Sequence, residues 1–134
     1  MQTTGSMQTT AAAGETFRRG VEAHDLDLSL SVVSPSVVFH SPVVHRPYEG
    51  RDALRRILSA VNQVFEDFRY TAEFSSASGH VLMFSCRVGD RALDGVDILR
   101  VGADGLVDDF TVMVRPYSAA TALRERMAAL MAGA

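Results

Sequence analysis

Residues 91–101 read RALDGVDILRV, and this stretch decides the fold, because it sets one carboxylate, Asp97, within a run otherwise suited to a strand. Upstream, residues 80–88 (HVLMFSCRV) are rich in apolar and β-suited side chains, and only Gly89-Asp90 lies between, a two-residue hairpin signal. The two runs are expected to pair antiparallel. With Val88 opposite Arg91, Leu82 falls opposite Asp97, Phe84 opposite Gly95 and Cys86 opposite Leu93, all on one face because side chains alternate with a period of two. Residues 106–115 (LVDDFTVMVR) return after Ala103-Asp104-Gly105, a second turn signal. A two-residue turn at Asp104-Gly105 sets Leu99 opposite Phe110 and Asp97 opposite Val112; a four-residue loop keeps that face, and a three-residue loop turns it over. On the first register Asp97 stands between Leu82 and Val112, where desolvation disfavours its charged form and raises its pKa. Such a group can hold or donate a proton near neutral pH.

With 134 residues, 47% hydrophobic and 22% charged, the chain is expected to form one compact soluble domain with a sizeable core. Its 13 basic and 16 acidic residues give a net charge of -3. No Lys/Arg cluster alternates with aromatics, so no nucleic-acid partner is expected. The single cysteine, Cys86, excludes an internal disulfide and reads as an inert core thiol, which fits a reducing cytoplasm. No apolar run approaches membrane-spanning length and no charged-then-apolar leader is present, so the expected location is cytoplasmic, with no membrane partner.

The opening MQTTGSMQTT repeats its first four residues at positions 7–10, joined by Gly5-Ser6, so residues 1–10 read as a tag-like or disordered segment and residues 11–134 as a single domain. A first helix is expected over residues 11–24, from the alanines and the Phe17/Val21 pair at i, i+4. Asp25 and Asp27 can cap a short second helix carrying Leu26, Leu30 and Val33, ending near Ser34-Pro35. Residues 36–41 (SVVFHS) are strand-like, and Pro42 demotes residues 43–49 to a short edge strand or ordered loop. Leu54, Ile57, Leu58, Val61 and Phe65 follow helical spacing, with Arg51, Arg55 and Arg56 on the wet side. Residues 68–78 form a further strand, and residues 119–131 a last helix striped by Leu123, Met127 and Leu130. This order predicts an α+β domain in which a strongly curved, mostly antiparallel sheet wraps as a cone around helices on its concave face. The pocket so formed can be lined by Phe17, Val21, Leu58, Phe84, Leu99, Phe110, Val112 and Val114, or those side chains can simply fill the core.

With these elements placed, HDLDLSLSVVSPSVVFHSPVVHRPYEG (residues 24–50) and GVDILRVGADGLVDDFTVMVRP (residues 95–116) make the chain resemble the nuclear transport factor 2-like superfamily, in its SnoaL-like branch of small bacterial proteins. The resemblance covers about residues 17–115 and implies a cone fold and a homodimer. It does not settle an activity, since the superfamily includes ketosteroid isomerases, scytalone dehydratase, limonene epoxide hydrolases, polyketide cyclases and proteins that only bind. Compared with ketosteroid isomerases, Asp97 falls on the carboxylic acid of the oxyanion hole. Phe17 stands where that family has its catalytic tyrosine, and Ser41 where it has its general base, so isomerisation by that route is not expected. Compared with limonene epoxide hydrolases, Val112 corresponds to the water-activating aspartate.

The candidate proton-handling residues are Asp97 and His40, the first with the plain alternative of a buried carboxyl satisfied by a hydroxyl or water. Strand alternation sends His40 and Ser41 to opposite faces; if Ser41 lines the pocket, as the resemblance implies, His40 belongs on the outer face. Tyr48 and His45 can rim the mouth. No spacing of His or carboxylates suits a metal, and no phosphate loop or nucleophile motif is present, so neither metal nor cofactor is expected. Two functional readings follow: cofactor-independent acid–base catalysis on a small, mainly apolar organic molecule, centred on Asp97, or a non-catalytic ligand-binding or assembly module. The outer face of the sheet, with Val81, Met83, Val96, Ile98, Thr111 and Met113, is the expected dimer contact unless the last helix folds back over it.

Overall fold

A computed structural model describes residues 3–132, with side chains from Met7 onward. In chain order the elements are α1 (Thr3–Glu22), α2 (Leu26–Leu30), β1 (Val33–His40), β2 (Tyr48–Glu49), α3 (Arg51–Val64), β3 (Glu66–Ser75), β4 (Gly79–Val88), β5 (Arg91–Val101), β6 (Val107–Arg115) and α4 (Tyr117–Ala132). The six strands form one curved, unclosed sheet in the order β2-β1-β6-β5-β4-β3. Only β1 and β6 run parallel; the other pairs are antiparallel.

The β4–β5 hairpin has the expected register throughout, including Leu82 opposite Asp97, Phe84 opposite Gly95 and Cys86 opposite Leu93. Gly89 takes the positive φ (62°) that so short a turn demands of its first central residue. Between β5 and β6, Asp97 lies opposite Val112 and Leu99 opposite Phe110, the register of a two-residue turn, yet the connection is longer. It spans residues 102–106, closed by Gly102 N–H to Leu106 O at 2.9 Å, and a one-residue slip between Arg100 and Val101 restores the facing of the side chains. The inner face therefore carries His80, Leu82, Phe84, Cys86 and Val88 from β4 with Leu93, Asp97 and Leu99 from β5, all buried.

Helix α1 begins at Thr3, ahead of the expected start at residue 11, and Thr10 is already buried, its hydroxyl in reach of Met7 O and Ser76 O. Asp25 caps α2 as expected, its Oδ1 accepting from Leu28 N–H at 3.1 Å. The expected end of that helix near Ser34-Pro35 is wrong. It stops at Leu30, and Ser34 and Pro35 instead open β1, where the pairing with β6 shifts between Val33 and Val38; an exposed bulge there tolerates a residue without N–H. Strand β3 likewise spans Glu66–Ser75 rather than residues 68–78. Helix α3 buries Leu54, Ile57, Ala60 and Val64, while Arg55 reaches Asp27 at 2.8 Å from the wet side.

Two apolar clusters meet the inner face. Phe17, Phe39 and Phe110 anchor the first, each pair with Phe110 edge-to-face at 5.3 Å. Phe84, Cys86, Val88, Leu93, Ala119 and Leu123 form the second, with Phe65 and Phe68 stacked against it. Leu123 places α4 on this inner side, so α4 does not cover the outer face. There Phe74, Met83 and Met113 remain exposed.

Candidate functional site

Between the two aromatic clusters the sheet and helices enclose a cavity of about 570 Å³, large enough for a fused-ring molecule. Phe17 and Val21 of α1, Phe39 of β1, Leu58 of α3, Phe84 of β4, and Phe110 and Val112 of β6 give it mostly apolar walls. Residues 41–44 and Tyr48 close one side, and Leu123, Met127 and Met131 of α4 another. Asp97 is a carboxyl set deep inside these walls, 7% exposed.

Burial pushes the Asp97 pKa up from 3.8 to about 7, against the opposing pull of a hydrogen bond from Tyr70. Tyr70 Oη lies 3.5 Å from Asp97 Oδ2, at the outer limit of a hydrogen bond, and no other side-chain hydrogen bond reaches Asp97 among the described residues. The carboxyl is thus left with bonding capacity toward the cavity. Burial first, then the charges of Asp97 and Glu22, hold the Tyr70 hydroxyl well above its ordinary pKa, so it remains a neutral donor. The arrangement sets a carboxyl that keeps its proton up to about pH 7 beside a neutral phenol on a mostly apolar wall. It suits an oxygen atom of a ligand, and it serves best one on which negative charge develops.

The structure brings Asp97 together with Phe17, Ser41, Tyr48, Leu58, Phe84, Phe110 and Val112 around one cavity. Leu99 and Val114 are not among its lining residues. Leu99 is fully buried in the first cluster, and Val114 packs against the second, each used up in contacts beside the wall. His40 does not line the cavity either: alternation along β1 turns Phe39 inward and His40 outward, where its Nε2 lies 3.1 Å from Asp109 Oδ2. Ser41 lines the cavity, but its hydroxyl is committed to its own loop, accepting from Val43 N–H at 3.1 Å and Val44 N–H at 3.3 Å. Burial, then Asp94, pushes the Cys86 thiol up to about 12, which leaves it unreactive. Among the described residues, no three His, Cys, Asp or Glu side chains converge as a metal site.

Tyr70 was not legible as a site residue. Counting back from Glu73 opposite Leu82, alternation would turn Tyr70 outward, but β3 slips by one residue between Tyr70 and Ala72 and sets Tyr70 opposite Phe84 on the inner face. A single bulge thus delivers the phenol to Asp97.

A SnoaL-like domain matches residues 15–110. The chain is 39% identical to a steroid delta-isomerase from Pseudomonas aeruginosa, over 93% of each chain and with a TM-score of 0.87. It is 32% identical to an uncharacterised protein with a cystatin-like fold from Silicibacter pomeroyi, over 87% of this chain and 83% of that one, with a TM-score of 0.82. An NTF2-like protein from Mesorhizobium loti shares the fold at 19% identity, with a TM-score of 0.71 over 82% of this chain and 93% of that one. No curated protein matches the chain.

Proposed function

Because the chain belongs to the SnoaL-like domain family, we propose that its cavity takes a mainly apolar ketone of about steroid size and promotes enolisation of that ketone without a cofactor. The observation that carries this reading is Asp97, a carboxyl held neutral to about pH 7 inside an apolar cavity with a phenol beside it. Protonated Asp97 donates to the ketone oxygen, while the Tyr70 hydroxyl donates to the other oxygen of the same carboxyl and orients it. As a proton leaves the neighbouring carbon, charge grows on that oxygen, and a fixed donor in a mostly apolar site stabilises it more than it stabilises the ground state. The likeness to a steroid delta-isomerase, at 39% identity, supports a ketosteroid as the first substrate to try.

Conversion of a β,γ-unsaturated ketosteroid to its conjugated isomer is read directly by ultraviolet absorbance. Asp97→Asn should lower the rate by about 100-fold or more, in the range of a lost oxyanion donor or proton-handling group, and leave the circular dichroism spectrum unchanged. Full activity in that variant would sink the assignment. A second reading, a binding module without turnover, is favoured by Phe17 and Val112, apolar where related enzymes carry working groups, and by the engaged hydroxyl of Ser41. A bound ketone recovered unchanged after long incubation would decide for it.

The molecule is further proposed to be a cytoplasmic homodimer joined through the outer face of the sheet. Phe74, Met83 and Met113 are 59%, 42% and 55% exposed there, with Val81, Val96 and Ile98 half-buried among them. Met113→Asp should shift the sedimenting mass from two chains to one. A wild-type mass of one chain at micromolar concentration rejects the dimer.

A further inference from the structure

Enolisation needs a group to accept the carbon-bound proton, and Ser41 cannot be that group, since its hydroxyl is a poor base already held in its own loop. A second carboxylate does line the cavity. Glu22, in the last turn of α1, has its side chain 48% exposed and its Oε1 2.8 Å from Arg18 Nη1. Arg18 is fixed in turn. Its buried Nε lies 3.2 Å from Glu73 Oε1, an ion pair without the alignment of a hydrogen bond. Behind Glu73 stands His80, 2% exposed, with Nε2 2.7 Å from Glu73 Oε2 and Nδ1 in a close hydrogen bond with the Ser75 hydroxyl. With Nε2–H donating to Glu73, Nδ1 is free to accept from Ser75, and both ring nitrogens are satisfied. Gly14 makes room for this, because a Cβ there would sit 2.1 Å from the His80 ring. A chain of five side chains from α1, β3 and β4, anchored on buried His80, therefore ends on one solvent-reachable carboxylate at the cavity wall. Glu22 lines the same cavity as Tyr70 and Asp97.

We propose that Glu22 is the proton acceptor of the cavity, positioned by Arg18 and, through it, by Glu73 and His80. This rests on the reading that Asp97 holds the ketone oxygen. The Glu22 carboxylate takes the proton from the carbon next to the carbonyl. The C–H electron pair becomes the new C=C bond, and the carbonyl π pair moves onto the oxygen bonded to Asp97. Return of the proton from Glu22 to carbon completes the cycle, with nothing consumed. Two carboxyl groups in one cavity thus take opposite roles: desolvated Asp97 donates, while Glu22, exposed to solvent and held in place by Arg18, accepts. His24 also lines the cavity but is a weaker candidate, since no hydrogen bond among the described residues orients its ring.

The test is deuterium uptake from heavy water into a bound saturated 3-ketosteroid, read by mass spectrometry, alongside the KM for that ketone. Glu22→Gln should slow uptake about 100-fold or more with KM unchanged, the range of a lost general base. Glu73→Gln keeps the side-chain shape but removes the charge holding Arg18, and should slow uptake about tenfold, again at unchanged KM. Uptake at the wild-type rate in Glu22→Gln, while Asp97→Asn abolishes it, would overturn this inference and leave the reading of Asp97 standing. Wild-type protein that binds the ketone but exchanges no deuterium would overturn both. An undiminished rate in Glu73→Gln would remove the positioning chain alone.

Discussion

Asp94 and Asp97 lie three positions apart on β5, one on each face of the sheet. Asp94 points outward, where Arg115 Nη1 at 3.0 Å and the Ser85 hydroxyl at 2.8 Å bond its carboxylate in reach of water. Asp97 points inward among aromatic rings, with the Tyr70 hydroxyl at 3.5 Å, and is pushed up to about 7. The residue type and the strand are the same, and only the parity of the position differs. Chemistry at this site is therefore conferred by the face of a sheet, and the comparison can be broken in measurable ways.

The largest effect should come from emptying the inner face beside Asp97. Leu99→Ala, at a fully buried position, is expected to cost about 2–5 kcal/mol in denaturant unfolding, against about 0.5 kcal/mol or less for Arg100→Ala on the exposed face. Equal costs would mean that the two faces are not distinct as described.

Next comes Asp97 itself. Its folded pKa is raised, so the native state keeps a proton that the unfolded chain releases above its ordinary value of 3.8. The stability contributed by that proton is fully present below about pH 4 and is lost as pH rises through about 7. At 1.36 kcal/mol per pKa unit the loss approaches about 4 kcal/mol as an upper bound. Asp97→Asn should therefore be more stable than wild type at pH 8, by about 2–4 kcal/mol, and the gap should close on acidification to pH 4. A pH-independent difference would contradict the buried, neutral carboxyl. Catalysis that uses the protonated form should fall over the same rise through about pH 7.

Tyr70→Phe removes the one interaction that lowers the Asp97 pKa, so the titration of Asp97 should move further toward alkaline pH. The accompanying stability change should be about 1 kcal/mol, the net worth of a modest hydrogen bond. A shift toward acid, read from the pH dependence of unfolding, would show that the phenol is not Asp97's donor. The smallest effect belongs to Asp94→Asn, which should change stability by less than about 0.5 kcal/mol and leave the titration near pH 7 untouched, since exposed ion pairs are worth little.

The register of β4, β5 and β6, the inward facing of Asp97 and the opposite facing of His40 and Ser41 were legible in the sequence, whereas which of those two faces outward followed only from the family resemblance. Each depends on short turns and on alternation, which are local rules. At the β5–β6 connection the local rule gave the right facing for a different reason, because a longer loop is compensated by a slip at Arg100 and Val101. The start of β1 was misread because Pro35 looked like a helix stop, whereas a bulged, exposed strand end accepts it equally well.

What the sequence by itself determined is the alternation that turns one carboxylate toward an apolar face, for the side-chain period of two needs no knowledge of the rest of the chain. Only the tertiary structure decided what meets it there. Tyr70 reaches Asp97 because β3 slips one residue against β4, and Glu22 belongs to the cavity because α1 lies across the strands that hold Glu73 and His80. Bulges and helix docking are settled by packing among segments far apart in the chain, and neither leaves a periodic signal in the sequence.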